Sequence, residues 1–185
     1  MEQRVADPGP LGLAGFAMTT FALSSWNANL WHGGGVVAAL ALAIFYGGIA
    51  QLLAGMWEFV RKNTFAALAF TSFGAFWLSF WYLVNHVTAA NTDTVAIFLL
   101  GWTIFTLYMT LAATKTNNAV LTVFVLLSIT FIFLTIGNWG AGHTDMIRIG
   151  GWVGLATAVA AWYASAAGVV NETHGKVVLP VGPRS

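Results

Sequence analysis

The chain has 185 residues, 58% of them hydrophobic and 7% charged, with a net charge of +1 and a mean hydropathy of +0.78. That composition excludes a soluble globular domain, and the lack of a basic patch points away from nucleic acid as a partner. With no cysteine, disulfides, thiolate chemistry and iron–sulfur clusters are excluded too.

Uncharged apolar runs of about 20 residues recur along the chain, the length needed to cross a bilayer as helix. The expected fold is an all-α membrane protein, a single domain over 1–185, with spans at about 11–30, 36–57, 64–83, 95–113, 119–136 and 150–170. Between the spans lie breaks at 32–35, 58–63, 85–94, 114–118 and 138–149, rich in Gly, Asn or charge. The start MEQRVADPGP has no signal-peptide pattern, so the first span is expected to be the insertion signal.

The first span, in DPGPLGLAGFAMTTFALSSWNAN, opens on Asp7 as a helix cap, with Pro8 and Pro10 in the first turn where no acceptor is lost. Phe16, Thr20, Leu23 and Asn27 follow at helical spacing and share one face. The Thr20 hydroxyl either bonds a carbonyl one turn back in its own helix or lines a route for something polar.

In the second span, FYGGIAQLLAGMWEF, residues Gly47, Gln51 and Gly55 recur at steps of four. They predict close approach of a neighbouring helix, with the Gln51 amide either gluing that contact or facing a pore. Glu58 ends this span beside Arg61 and Lys62. An exposed charge cluster explains it, and a shielded carboxylate there is also a candidate proton carrier.

The third span crowds Phe73, Phe76, Trp77, Phe80 and Trp81 into less than three turns, which reads as a gate or a packing wall. Trp81, Tyr82, Trp102, Trp152 and Trp162 near span ends are expected to be interfacial anchors. The fifth span carries Leu127, Thr130, Leu134 and Asn138 on one face, functionally like the first. In the sixth, Gly150, Gly154 and Ala158, and again Ala160, Ala164 and Gly168, step by four and predict tight packing within or between subunits.

All acidic residues (Glu2, Asp7, Glu58, Asp93, Asp145, Glu172) and all histidines (His32, His86, His143, His174) fall at span ends or in loops. A core without ionisable groups leaves no retinal lysine, haem pair, metal set or voltage-sensing ladder, so neither cofactor nor metal is expected. Arg4, Arg61, Lys62, Lys115, Lys176 and Arg184 lie on one side of six spans and Arg148 alone on the other, which predicts cytoplasmic termini.

DPGPLGL resembles the Asn-Pro-Ala-Pro-Leu-Gly-Leu signature of the acetate uptake transporter family, the bacterial succinate-acetate permeases and their fungal relatives. FYGGIAQLLAGMWEF, NTFAALAFTSFGAFWLSF, IGNW and VNETHGKVVLPVG are similar to other segments of that family, so the resemblance covers nearly the whole chain. Within the signature, Asp7, Pro8, Gly9, Pro10, Leu11, Gly12 and Leu13, two residues differ from the family: Asp7 replaces Asn and Gly9 replaces Ala. Asp7 keeps the capping chemistry and adds a charge that opposes an arriving anion.

The resemblance implies six helices around a pore in each subunit, a hexamer, and an apolar constriction formed by Phe16, Phe73 and Leu127. Relatives often have Tyr where Phe73 stands. It further implies transport of acetate, with succinate as a related cargo, across the cytoplasmic membrane, coupled to a proton through Glu58 or an interfacial His. Thr20, Asn27, Gln51, Ser72, Thr130 and Asn138 are the expected polar stations, since neutral donors bind a carboxylate without trapping it. A channel for a neutral molecule or ammonium shares this architecture, while a membrane enzyme would need an acid–base or metal set that the core lacks.

Overall fold

The computed structural model describes residues 5–31, 35–87, 91–140 and 142–184, so Glu2, Arg4 and His32 lie outside the described residues. Its helices are α1 (Gly9–Asn27), α2, α3 (Thr64–His86), α4 (Thr92–Ala113), α5 (Asn118–Asn138) and α6 (Thr144–His174). The second helix runs from Gly35–Ile44 through a π-helical stretch, Phe45–Ala50, into Gln51–Val60. No strand occurs among the described residues, which hold one isolated bridge between Asn117 and Pro183.

Among the described residues five helices are long and apolar enough to cross a membrane, from Val36–Val60 through Thr144–His174. The chain is therefore an all-helical integral membrane protein. The remaining helix, α1, has 19 residues diluted by glycine, serine and threonine.

Local chemistry sets the helix ends. Asn63, Asn91 and Asn117 each accept a backbone N–H in the first turn of α3, α4 and α5, and Asn91 forms a full capping box with Thr94. Such caps contribute about 1 kcal/mol each and start α4 earlier than apolarity alone predicts. Asp7 differs from expectation: its Oδ1 accepts from Gly9 N at 2.9 Å, closing the turn ahead of the helix, and Pro8 occupies the cap position. The largest difference in length is α6, whose 31 residues extend about 46 Å, beyond a hydrocarbon core of about 30 Å. Its charged ends, with Asp145, Arg148 and Glu172, continue the helix into water until Gly175 ends it at φ 63°.

Each helix packs on the next in chain order, and α6 returns to α1, so the six close into a ring. Small residues set the approach. A Cβ on Gly154 would lie 2.2 Å from Ser24 Oγ, and one on Gly151 would lie 2.3 Å from Ala28 N. The α6 stripe thus serves contacts inside the chain, with α1 and, through Gly150 and Leu134, with α5.

On α2 the expected single contact face divides. Gly47 meets Thr19 of α1, whereas Gly55 meets Thr71 of α3, because the wider π turn between Gly47 and Gln51 rotates one half of the helix against the other. Trp102 is also not an anchor. Its ring lies 5.2 Å from Phe76, 5.5 Å from Phe105 and 6.1 Å from Phe73, inside an aromatic cluster between α3 and α4. Tyr82 and Trp152 are exposed, while Trp81 and Trp162 are partly buried against the core.

After α6 the chain folds back over one end of the ring. Asn171 Oδ1 accepts from Val178 N and Leu179 N, and its Nδ2 donates to Leu179 O. The carbonyls of Gly182 and Val181 then accept from Asn118 N and Ala119 N, two amides that an α-helix start leaves without acceptors. Arg184 fastens the segment by donating to Asn118 Oδ1 at 2.7 Å and Thr114 O at 3.1 Å.

Candidate functional site

The mixed faces of α1 and α5 converge. Phe16, Thr20, Leu23 and Asn27 line a cavity of about 290 Å³ together with Leu127, Thr130, Leu134 and Asn138, and α3 closes it with Phe76, Trp77 and Phe80. Among the described residues no ionisable side chain lines this distal cavity, at the end of the ring away from residues 7 and 181.

A second cavity of about 370 Å³ opens at the end where those residues lie. Its polar side holds Asp7, Glu58, Arg61 and Asn63, and its apolar side Leu13, Phe65, Phe70 and Phe124. Asp7 Oδ1 pairs with Arg61, and Glu58 Oε2 lies 3.7 Å from the same guanidinium. The charge expected of Asp7 is therefore met by a cation.

Three helices change cavity at one depth. On α1 Leu13 faces the proximal cavity and Phe16 the distal one; on α5 the change falls between Phe124 and Leu127; on α3 it falls between Phe70 and Phe76. Phe73 sits at that step and lines neither cavity. Its ring lies 5.8 Å from Phe16, 6.2 Å from Phe124 and 5.3 Å edge-on from Phe105. Phe16, Phe73, Phe124 and Leu127 are all buried, so the partition between the cavities is an apolar wall of three rings and a leucine.

The polar residues expected from the sequence fall into two groups. Thr20, Asn27, Thr130 and Asn138 line the distal cavity, whereas Gln51 and Ser72 line neither cavity. Thr130 Oγ1 donates to Leu126 O at 2.9 Å, and Asn138 Nδ2 donates to Leu134 O at 2.8 Å. Thr20 does not make the intrahelical bond considered for it. Thr19 next to it takes Gly15 O, and Thr20 Oγ1 is buried without a hydrogen-bond partner in the protein. Trp77 Nε1, on the wall of the same cavity, is likewise unpartnered.

The signature residues are structural as well as cavity-lining. Gly12 lets α1 approach Phe70, whose ring would lie 2.7 Å from a Cβ there, and Pro10 O accepts from Ser165 Oγ at 2.7 Å. Leu11 is exposed and Pro8 buried, while Asp7, Gly9, Pro10 and Leu13 reach the proximal cavity. His86, His143 and His174 are exposed and line neither cavity. Sequence reasoning missed Phe124 and Arg61 as site residues. Phe124 stands three positions before Leu127 on the same stripe, which was signal enough to find it.

Comparison with known proteins agrees with this architecture. The sequence model of the GPR1/FUN34/yaaH family matches residues 1–184. The chain is 39% identical over 184 residues to the succinate-acetate/proton symporter SatP of Escherichia coli strain K12, covering 97% of this chain and 96% of that one. It is 36% identical over 198 residues to acetate permease A of Emericella nidulans, covering 97% and 66% of the two chains. Ammonia transport outward protein 2 of Saccharomyces cerevisiae is 36% identical over 186 residues, covering 95% and 66%. A solved structure described as the bacterial acetate channel SatP superposes with a TM-score of 0.90 at 40% identity, over 97% of this chain and 100% of that one. By a match along almost its whole length and by a shared helical ring, this chain belongs to the GPR1/FUN34/yaaH family.

Proposed function

We infer that this protein transports acetate and related small carboxylates such as succinate across the cytoplasmic membrane, together with a proton, and is not an enzyme. The observation that carries the reading is the pair of cavities stacked end to end across one apolar wall. In the distal cavity Thr20, Asn27, Thr130 and Asn138 offer neutral dipoles, which hold a carboxylate weakly enough to release it. Phe16, Phe73 and Leu127, joined by Phe124, form the constriction. It excludes hydrated ions by dewetting and accepts the methyl group of acetate. Glu58, in the proximal cavity, is the proton carrier. The chain acts as one six-span domain with cytoplasmic termini, since Arg61, Lys62, Lys115, Lys176 and Arg184 fall on the side of Asp7. Subunits assemble as a hexamer, as the family resemblance implies.

Purified protein in vesicles should take up labelled acetate, faster with an inward proton gradient, and unlabelled succinate should compete. A flux of methylammonium that acetate leaves unchanged would instead favour the ammonium reading that the yeast relative's name suggests. No protein-dependent acetate flux over protein-free vesicles would refute the proposal.

A further inference from the structure

Of the residues in the wall, Phe73 alone lines neither cavity, and it is 3% exposed. What holds its ring in place therefore lies outside the conduit. Its backbone is fixed by α2: a Cβ on Gly74, the next residue, would lie 2.7 Å from Leu52 N, and one on Gly55 would lie 2.4 Å from Thr71 N, two positions earlier. With α3 clamped on both sides of Phe73, the ring moves by turning about its own side-chain bonds.

The side of α3 that faces α4 is built differently. Gly101, the glycine of α4, has open space around it, and rings from both helices fill the gap between them. Among the described residues four rings surround Phe73. Two of them, Phe16 and Phe124, belong to the wall; the other two, Trp102 at 6.1 Å and Phe105 at 5.3 Å, stand on α4 and line neither cavity. Phe105 is the nearest of the four and meets Phe73 edge-on at 85°, a preferred arrangement of aromatic pairs. It is braced in turn. Trp102, three positions earlier on the same face of α4, lies 5.5 Å from it, and Tyr108, half exposed, lies 5.1 Å from it.

We propose that Phe105 is a positioning residue for the constriction: backing Phe73 from α4, it holds that ring in the wall and sets the largest carboxylate that passes. It rests on the transport reading above and names a residue that fixes its size selectivity. A carboxylate larger than acetate has to push the wall apart. Phe16 and Phe124 border open cavities, whereas the Phe73 ring retreats toward α4, where Phe105 already stands. Close-packed rings yield little. Shortening Phe105 leaves a void behind Phe73 that the ring can enter, and the passage widens with every cavity-lining residue unchanged.

The test gives labelled lactate or acetate to vesicles holding the wild type, Phe105→Ala, Phe105→Leu or Phe98→Ala. In Phe105→Ala the ratio of lactate to acetate uptake should rise about tenfold, the lower end of what an apolar pocket discriminates over one methylene. Phe105→Leu, which keeps much of the volume and loses the ring edge, should raise it less, and it carries the test if Phe105→Ala fails to fold. Phe98→Ala removes a ring of the same cluster that touches Phe76 and Trp102 but not Phe73, so its ratio should match the wild type. In a Phe73→Ala background, Phe105→Ala should add nothing, since residues acting through one contact are not additive. A wild-type ratio in the folded Phe105 variants, an equal rise in Phe98→Ala, or a further rise on top of Phe73→Ala would overturn the assignment. A fluorinated phenylalanine in place of Phe73 supplies a second readout in purified protein. Its fluorine resonance should broaden or split in Phe105→Ala and stay unchanged in Phe98→Ala. If the wild type moves no carboxylate the transport reading fails instead, and this resonance still decides whether Phe105 holds the ring.

Discussion

The two cavities are close in size, about 290 and 370 Å³, and opposite in chemistry. Among the described residues the distal one has no ionisable lining residue, while the proximal one gathers two carboxylates around one guanidinium. An anion in the distal cavity meets only dipoles, whose attraction is short-ranged and indifferent to salt. In the proximal cavity it meets a cation already engaged, so binding there is an exchange among carboxylates and must weaken with ionic strength. If the two cavities form the proposed route, it selects by shape at one end and by charge at the other, with the wall between.

The most drastic way to break this comparison removes both cavities together. Gly154→Leu forces a side chain into Ser24 and pushes α6 off α1, its neighbour in the ring and a fellow lining element of the proximal cavity. No monodisperse folded peak should survive size-exclusion chromatography in detergent, and a normal peak would show that the seam tolerates bulk. Next in size is Arg61→Gln, which leaves Asp7 and Glu58 beside each other with no cation. Acetate uptake should fall by about tenfold or more from like-charge repulsion at the mouth, with stability little changed. Uptake equal to wild type would mean that the proximal charges lie off the route.

Leu127→Ala acts on the wall itself. Its side chain is buried yet borders a cavity, so the stability cost should sit near the low end of the usual range, about 2 kcal/mol. Lactate should become a substrate while acetate flux stays equal or rises. A larger stability loss with an unchanged size limit would make Leu127 ordinary packing. The smallest effect is expected of Asp7→Asn, because a partly exposed ion pair contributes about 0.2–1 kcal/mol. Freed from one competitor, Arg61 should lower the apparent KM for acetate two- to threefold, by the same estimate. That gain should shrink in high salt, and a gain that ignores salt would remove charge from the account.

The distal cavity was the more legible of the two. Its lining repeats at helical period on α1 and α5, so Thr20, Asn27, Thr130 and Asn138 could be read before any coordinates. The place of Phe73 came from family resemblance, since one ring among many carries no periodic signal. What stayed hidden depends on pairs of helices. Gly47 and Gly55 look alike in sequence, yet a π turn sends them to different neighbours. Asp7 read as a lone charge because Arg61, its partner, is distant along the chain. The unsatisfied Thr20 hydroxyl was equally invisible, for whether a threonine finds its own helix carbonyl is decided by rotamer and packing.

The segment after α6 carries a consequence for how the protein is made. Val181 is part of the proximal wall, and the Gly182 and Val181 carbonyls satisfy the first amides of α5, with the whole of α6 lying between in the chain. While α5 and α6 are entering the membrane, those amides must rely on water, and the mouth lacks one side. The proximal cavity is finished last, after every helix has been synthesised, so a ribosome halted before residue 181 holds a bundle whose cavity still lacks Val181 from its wall.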